Sequence, residues 1–224
     1  MQDKNYLQIA NHAATEGALS KQRLSRFSLG GIIDSKKSIE LYLWNCRLCA
    51  EFIISLHFAE VVTRNSIQKA LHVRIKNPWF EDEVFLRLLD QKQKEHLESV
   101  INNERAQHKN SMSDDHVVSS LNFGFWDHLT TKRFDRLLWL RGIKHNFPNA
   151  FSKGLTIRDI NRKIQTVRQW RNRIAHHRAI FDMEPERKFD ETIELIGFAC
   201  ADTADMVKTN SRVLEVLASP PFKL

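Results

Sequence analysis

Between Lys36 and Ile75 the chain contains neither glycine nor proline, and this stretch limits the fold more than any other. Glycine loosens regular structure through backbone freedom, and proline breaks it through a fixed φ and a missing N–H. A run of this length without either predicts one long helix or two abutting ones. It opens at Asp34-Ser35, where a carboxylate suits an N-cap, and closes at Asn77-Pro78. Seven Gly and five Pro in 224 residues are too few for the turns of a sheet protein, so the whole chain is expected to be all-α. Within the run, Phe52 to Val62 is interrupted only by Ser55, His57 and Glu60, which predicts a centrally buried segment. Glu60 lies four residues before Arg64, a spacing that suits an ion pair along one helix, with Asn65 beside it.

The rest of the chain continues the helical pattern. Residues 1–18 are polar and aperiodic, and are expected to form a loose N-terminal segment ahead of a single domain over residues 19–218. Leu19 to Phe27 reads as a short helix ended by Gly30-Gly31. Asp90 to Lys109 is highly charged and predicts an exposed outer helix without a functional role. Ser113-Asp114-Asp115 suits a helix start, and the glycine of Phe123-Gly124-Phe125-Trp126 implies a turn or a close backbone approach. The apolar patch Leu137 to Leu140 precedes a loop around Asn146-Phe147-Pro148-Asn149. One final helix is expected from about Glu186 to Leu217, with Ile193, Ile196, Cys200, Thr203 and Val207 facing inward and Pro220-Pro221 stopping it.

No apolar run is long enough to span a bilayer and no leader pattern is evident, so a cytoplasmic protein is expected. Three cysteines include Cys46 and Cys49, but no second pair or His cluster completes a zinc set. They read as reduced core thiols, and neither metal nor cofactor is expected. The net charge of +7 favours an anionic partner.

That charge gathers around one stretch, Gln169-Trp170-Arg171-Asn172-Arg173-Ile174-Ala175-His176-His177, which reads as lying well inside a long helix that begins near Thr156. Ile157, Ile160, Ile164, Val167 and Ile174 recur at steps of three and four, the stripe of an amphipathic helix. Steps from Val167 and to Ile174 both land on Arg171, so a guanidinium is expected in the apolar stripe, leaning on Glu60. Arg158, Arg162, Gln165, Gln169, Asn172 and His176 follow the same spacing on another face. Arg158, Arg162, Gln169, Arg173 and Arg178 are the candidate phosphate contacts, with Asp159 the single acid between Thr156 and Phe181.

Four blocks together resemble a known family: Leu41-Tyr42-Leu43-Trp44-Asn45, Glu60 to Asn65, Phe123-Gly124-Phe125-Trp126, and Arg171-Asn172-Arg173-Ile174-Ala175-His176-His177. In order and in coverage, from roughly Leu19 to Cys200, they look like the Abi-like family of abortive-infection proteins, part of the HEPN superfamily. The chain departs from that family at Arg178-Ala179, where Glu-Pro is common. The resemblance implies a HEPN-like helical bundle with additional helices. It also implies a metal-independent endoribonuclease, toxin-like in phage defence or stress, that works as a homodimer on RNA, with an antitoxin or other neutralising protein as a further expected partner. Arg171, Asn172, His176 and His177 would be the catalytic set, supported by Glu60, Arg64 and Asn65.

The chemistry is compatible with these residues, because RNA carries its own 2′-hydroxyl nucleophile, imidazole moves protons near neutral pH and arginine stabilises charge on phosphate. On an ideal helix Arg171 and His176 point about 140° apart while Asn172 and His176 differ by about 40°. A second subunit bringing His176 toward Arg171 resolves that mismatch. Two other readings fit the same residues. One is a catalytically inactive RNA- or nucleotide-binding protein, and the other a helical interaction subunit of a defence complex.

Overall fold

The computed structural model describes residues 11–75 and 78–223, and no strand occurs among them. Residues 1–10 of the expected loose segment, and Asn77, lie outside the described residues. The rest of that segment is helical: α1 (His12–Leu19) starts where the Asn11 side chain accepts the Ala14 N–H at 3.0 Å. Capping and helix-forming Ala and Leu favour α1, which buries no residue but is tied to the following chain by the Ser35 hydroxyl donating to Glu16 Oε2 at 2.7 Å. A short α2 (Lys21–Leu24) and a 3₁₀ turn over Ser25–Gly31 follow, ending at Gly30 and Gly31 with φ of 73° and 88°.

The glycine- and proline-free run is a single helix, α3 (Ser35–Arg74), whose 40 residues span roughly 60 Å at 1.5 Å each. Asp34 caps it by accepting the Lys37 N–H at 2.8 Å. Leu48, Phe52, Leu56, Ala59 and Ile67 form its buried stripe. The segment Phe52 to Val62 is not enclosed all round: Ile53 and Ile54 are 58% and 50% exposed. Neighbouring helices cover only one side of α3, so a continuous apolar run leaves part of itself in solvent.

Next come α4 (Glu83–Leu88), α5 (Gln91–His108), α6 (Asp114–Ser120) and α7 (Phe123–His128). Asp82, Asp90, Ser113 and Asn122 cap them in turn. Trp79, Phe85, Phe125, Trp126 and Phe134 build an aromatic centre beneath these short helices, with Trp79 and Phe85 edge-on at 5.3 Å. A π-helical turn over Asp135–Trp139 leads to α8 (Pro148–Ser152), which begins inside the expected loop with Pro148 in its first turn.

The long α9 (Ile157–Ala175) and then α10 (Pro185–Ala199) pack against α3. Phe52 of α3 meets Trp170 of α9 edge-on at 5.4 Å and Phe189 of α10 at 6.2 Å, joining the three. The expected single C-terminal helix is divided into α10, α11 (Ala201–Asn210) and α12 (Val213–Leu217), with extended backbone at Cys200 and Ser211. Asn149 donates to the Gly197 carbonyl at 2.8 Å, occupying an acceptor that continued helix would have used. α11 then folds back on α10, keeping Ala204 and Val207 buried. No helix among the described residues is long and apolar enough to cross a membrane.

Candidate functional site

Thr156 and Asp159 close a capping box at the start of α9, the Thr156 N–H donating to Asp159 Oδ2 at 2.9 Å. The buried residues are then Ile160, Ile164, Val167, Trp170 and Ile174. Trp170, 4% exposed, takes the place expected of Arg171. Steps of three and four residues are equally allowed on a helix, and burying an indole is favourable where burying a guanidinium is costly. Arg171 instead keeps 41% of its side chain exposed.

The helix ends within the motif rather than beyond it. His176 is the C-cap, and His177 adopts the left-handed conformation with φ of 54°. The Arg178 N–H donates to the Arg173 carbonyl at 3.0 Å and the His177 N–H to the Ile174 carbonyl at 2.9 Å, which is a Schellman ending. Histidine is among the few non-glycine residues enriched in this conformation. Three contacts fix the turn: the Arg23 guanidinium donates to the His177 carbonyl, Arg173 Nε donates to the Ala179 carbonyl at 2.7 Å, and the Ile180 N–H donates to Asn45 Oδ1 at 2.8 Å. Arg173, a candidate phosphate contact, is therefore engaged by the backbone, and burial lowers its pKa, with Arg26 and Arg178 acting in the same direction.

Arg171 sits between two cavities. Its Nε lies 3.4 Å from Glu60 Oε2, and Nη1 donates to Asn172 Oδ1 at 3.4 Å. Glu60 thus pairs across helices rather than with Arg64, whose Nε donates to neighbouring Asn65 Oδ1 at 3.3 Å. Arg64 and Asn65 line a different cavity with Gln68 and His116. On one side of Arg171 is a mainly apolar cavity of about 460 Å³ along α3, lined by Tyr42, Cys46, Ile53, His57, Ile174 and His177 among others. On the other is a polar cavity of about 600 Å³, lined by residues of α5, α7 and α9 including Lys92, His96, Asn122, Arg168 and Asn172. His176 is exposed past the end of α9 and lines neither.

No family model, curated protein or solved structure matches the chain.

Of the other expected contacts, Arg158, Gln169 and Arg178 are exposed, and so is Arg162, which is paired with Asp159. Of the polar cavity's lining, Phe123, Gly124, Arg171 and Asn172 belong to the expected motifs, and the other residues come from outside them. Arg168 lines this cavity, with Nε 2.8 Å from Asp127 Oδ2. The contact is one of charge, since that N–H is not aimed along a hydrogen bond. Asp127 is buried, which raises its pKa, while Arg168 and an Asn161 amide 3.0 Å from Oδ1 oppose the rise.

His96 Nε2 lies 2.9 Å from Asn122 Nδ2, and Asn122 Oδ1 accepts the Phe125 N–H, so Nε2 is the acceptor and Nδ1 carries the proton. Burial lowers the pKa of His96. It does the same for His128, against the opposing pull of Asp90, whose Oδ2 is 3.6 Å from Nδ1. Lys92, His96 and His128 escape a sequence reading because α5 and α7 meet α9 only in three dimensions.

The cysteines are free but not core residues: Cys46 is exposed, and Cys49 and Cys200 are half-buried. Among the described residues no group of three or more His, Cys, Asp or Glu is placed to hold a metal ion.

Proposed function

We propose that this protein is a HEPN-type endoribonuclease related to the Abi-like proteins, acting on RNA through Arg171, Asn172 and the histidines at the end of α9. The observation that carries the reading is Arg171: one edge of its guanidinium is held 3.4 Å from Glu60 Oε2 while the side chain stays open to a polar cavity. A guanidinium positioned in this way suits charge developing on a phosphate. In the reaction the RNA 2′-oxygen attacks the adjacent phosphorus as an imidazole takes its proton. The P–O5′ bond breaks and the departing 5′-oxygen takes a proton from a second imidazole or from water, leaving a 2′,3′-cyclic phosphate and a 5′-hydroxyl end.

His176 stands in solvent past the helix end, so its counterpart across the site is best supplied by a second copy of the chain. The half-exposed Ile53 and Ile54, near the first cavity, add apolar surface for such a contact. Cytoplasmic action and a neutralising antitoxin belong to the same reading.

The test is cleavage of RNA by the purified chain in the presence of chelator, with product ends identified. We expect cyclic phosphate ends, with loss of cleavage in folded Arg171→Ala and His176→Ala. Full cleavage by both variants overturns the catalytic assignment, and full activity in a persistent monomer by light scattering overturns the shared site. RNA binding without cleavage in the wild type favours the binding-protein reading instead.

A further inference from the structure

The polar cavity between α5, α7 and α9 gathers three cations from two helices: Lys92, Arg168 and Arg171. Two of them are already paired with carboxylates, Arg168 with Asp127 of the lining and Arg171 with Glu60. Two residues of the lining, Gln93 and His128, each carry a buried acceptor, Oε1 and Nε2, that has no hydrogen-bond partner among the described residues. With Nδ1 facing Asp90, Nε2 is the acceptor of the neutral ring that burial favours. The amides of Asn122 and Asn172 complete the lining.

A complementary ligand therefore carries an anion for the cations and hydrogen-bond donors for the acceptors. Inorganic phosphate meets only the first need. A nucleotide meets both, through its phosphate and its ribose hydroxyls or base N–H groups, and a cavity of about 600 Å³ lies within the range of small-ligand sites.

We propose that this cavity is a nucleotide subsite, which seats the RNA nucleotide next to the bond being cut, with its phosphate on Lys92, Arg168 and Arg171 and its donors on Gln93 and His128. The proposal deepens the nuclease reading, since Arg171 belongs to both.

Binding of nucleoside 5′-monophosphates (AMP and UMP) and of inorganic phosphate to the full chain, measured by titration calorimetry, tests it apart from cleavage. Lys92→Glu alters an exposed side chain, and Gln93→Ala removes an acceptor without a partner, so both variants should fold with thermal stability unchanged or, for Gln93→Ala, raised. We expect at least one of the nucleotides to bind about tenfold or more tightly than inorganic phosphate, and each variant to weaken it about tenfold. Equal binding of phosphate and nucleotide, or wild-type binding by both variants, overturns the subsite. If RNA cleavage persists in that case, the nuclease reading survives without it. Nucleotide binding lost in Lys92→Glu while the wild type cleaves no RNA leaves the subsite standing and removes the nuclease.

Discussion

Arg171 Nε stands 3.4 Å from Glu60 Oε2, linking α9 to the middle of α3, with 41% and 22% of the two side chains exposed. At that distance and exposure the pair is worth little to folding, under about 1 kcal/mol. Its consequence is orientation of the guanidinium. Glu60→Gln is accordingly expected to leave the denaturation midpoint almost unchanged while RNA cleavage falls about tenfold or more. A stability loss well above 1 kcal/mol, with cleavage intact, would instead make the pair a structural tie.

The two histidines can be separated by backbone conformation. His177 sits at φ of 54°, where glycine is the least strained residue, so His177→Gly should change stability by no more than about 1 kcal/mol, while His177→Val should lose at least that much. If His176 is the proton-transfer group, His177→Gly keeps cleavage and His176→Ala abolishes it. The reverse pattern assigns the role to His177.

Thiol reactivity should rank the cysteines. Thr203 donates to Cys200 Sγ through its hydroxyl at 3.1 Å, lowering the thiol pKa at the start of α11. Burial, with Cys46 nearby, pushes Cys49 up to about 12, and burial also raises Cys46. Alkylation near pH 8 followed by peptide mass mapping should label Cys200 first and Cys49 last.

Acid should weaken the fold through His96 and His128. Burial holds both below the ordinary imidazole value of 6.5, so below that pH the unfolded chain binds more protons than the folded one. Their effect on stability is nil well above pH 6.5 and grows as pH falls toward the depressed folded values. Asp127 acts with the opposite sign, because its folded pKa is raised. Melting temperatures taken from pH 7.5 to 5.5 should fall for the wild type and fall less for the His96→Gln, His128→Gln double variant.

Much of the architecture was legible in local chemistry. The absence of Gly and Pro marked α3 to within a residue at each end, and Asp34, Ser113 and Thr156 signalled helix starts because capping depends on side chains only a few positions away. The apolar period of α9 was readable too, but it did not choose between Trp170 and Arg171, since both fall on permitted steps. Tertiary packing made that choice, with the Trp170 indole meeting the Phe52 ring edge-on at 5.4 Å. Likewise, nothing local required a break at Cys200, where Asn149, distant in sequence, takes up the Gly197 carbonyl.

By itself, then, the sequence determined the all-α class, the principal helices and the basic stretch around Arg171, because periodicity and capping act over a few residues. Tertiary structure decided that the stretch lies at a helix end, that Arg171 faces two cavities, and that Lys92, His96, His128 and Arg168 share one of them. Those outcomes depend on which helix faces pack together, and residues from α5, α7 and α9 become neighbours only when burying apolar surface brings their helices into contact.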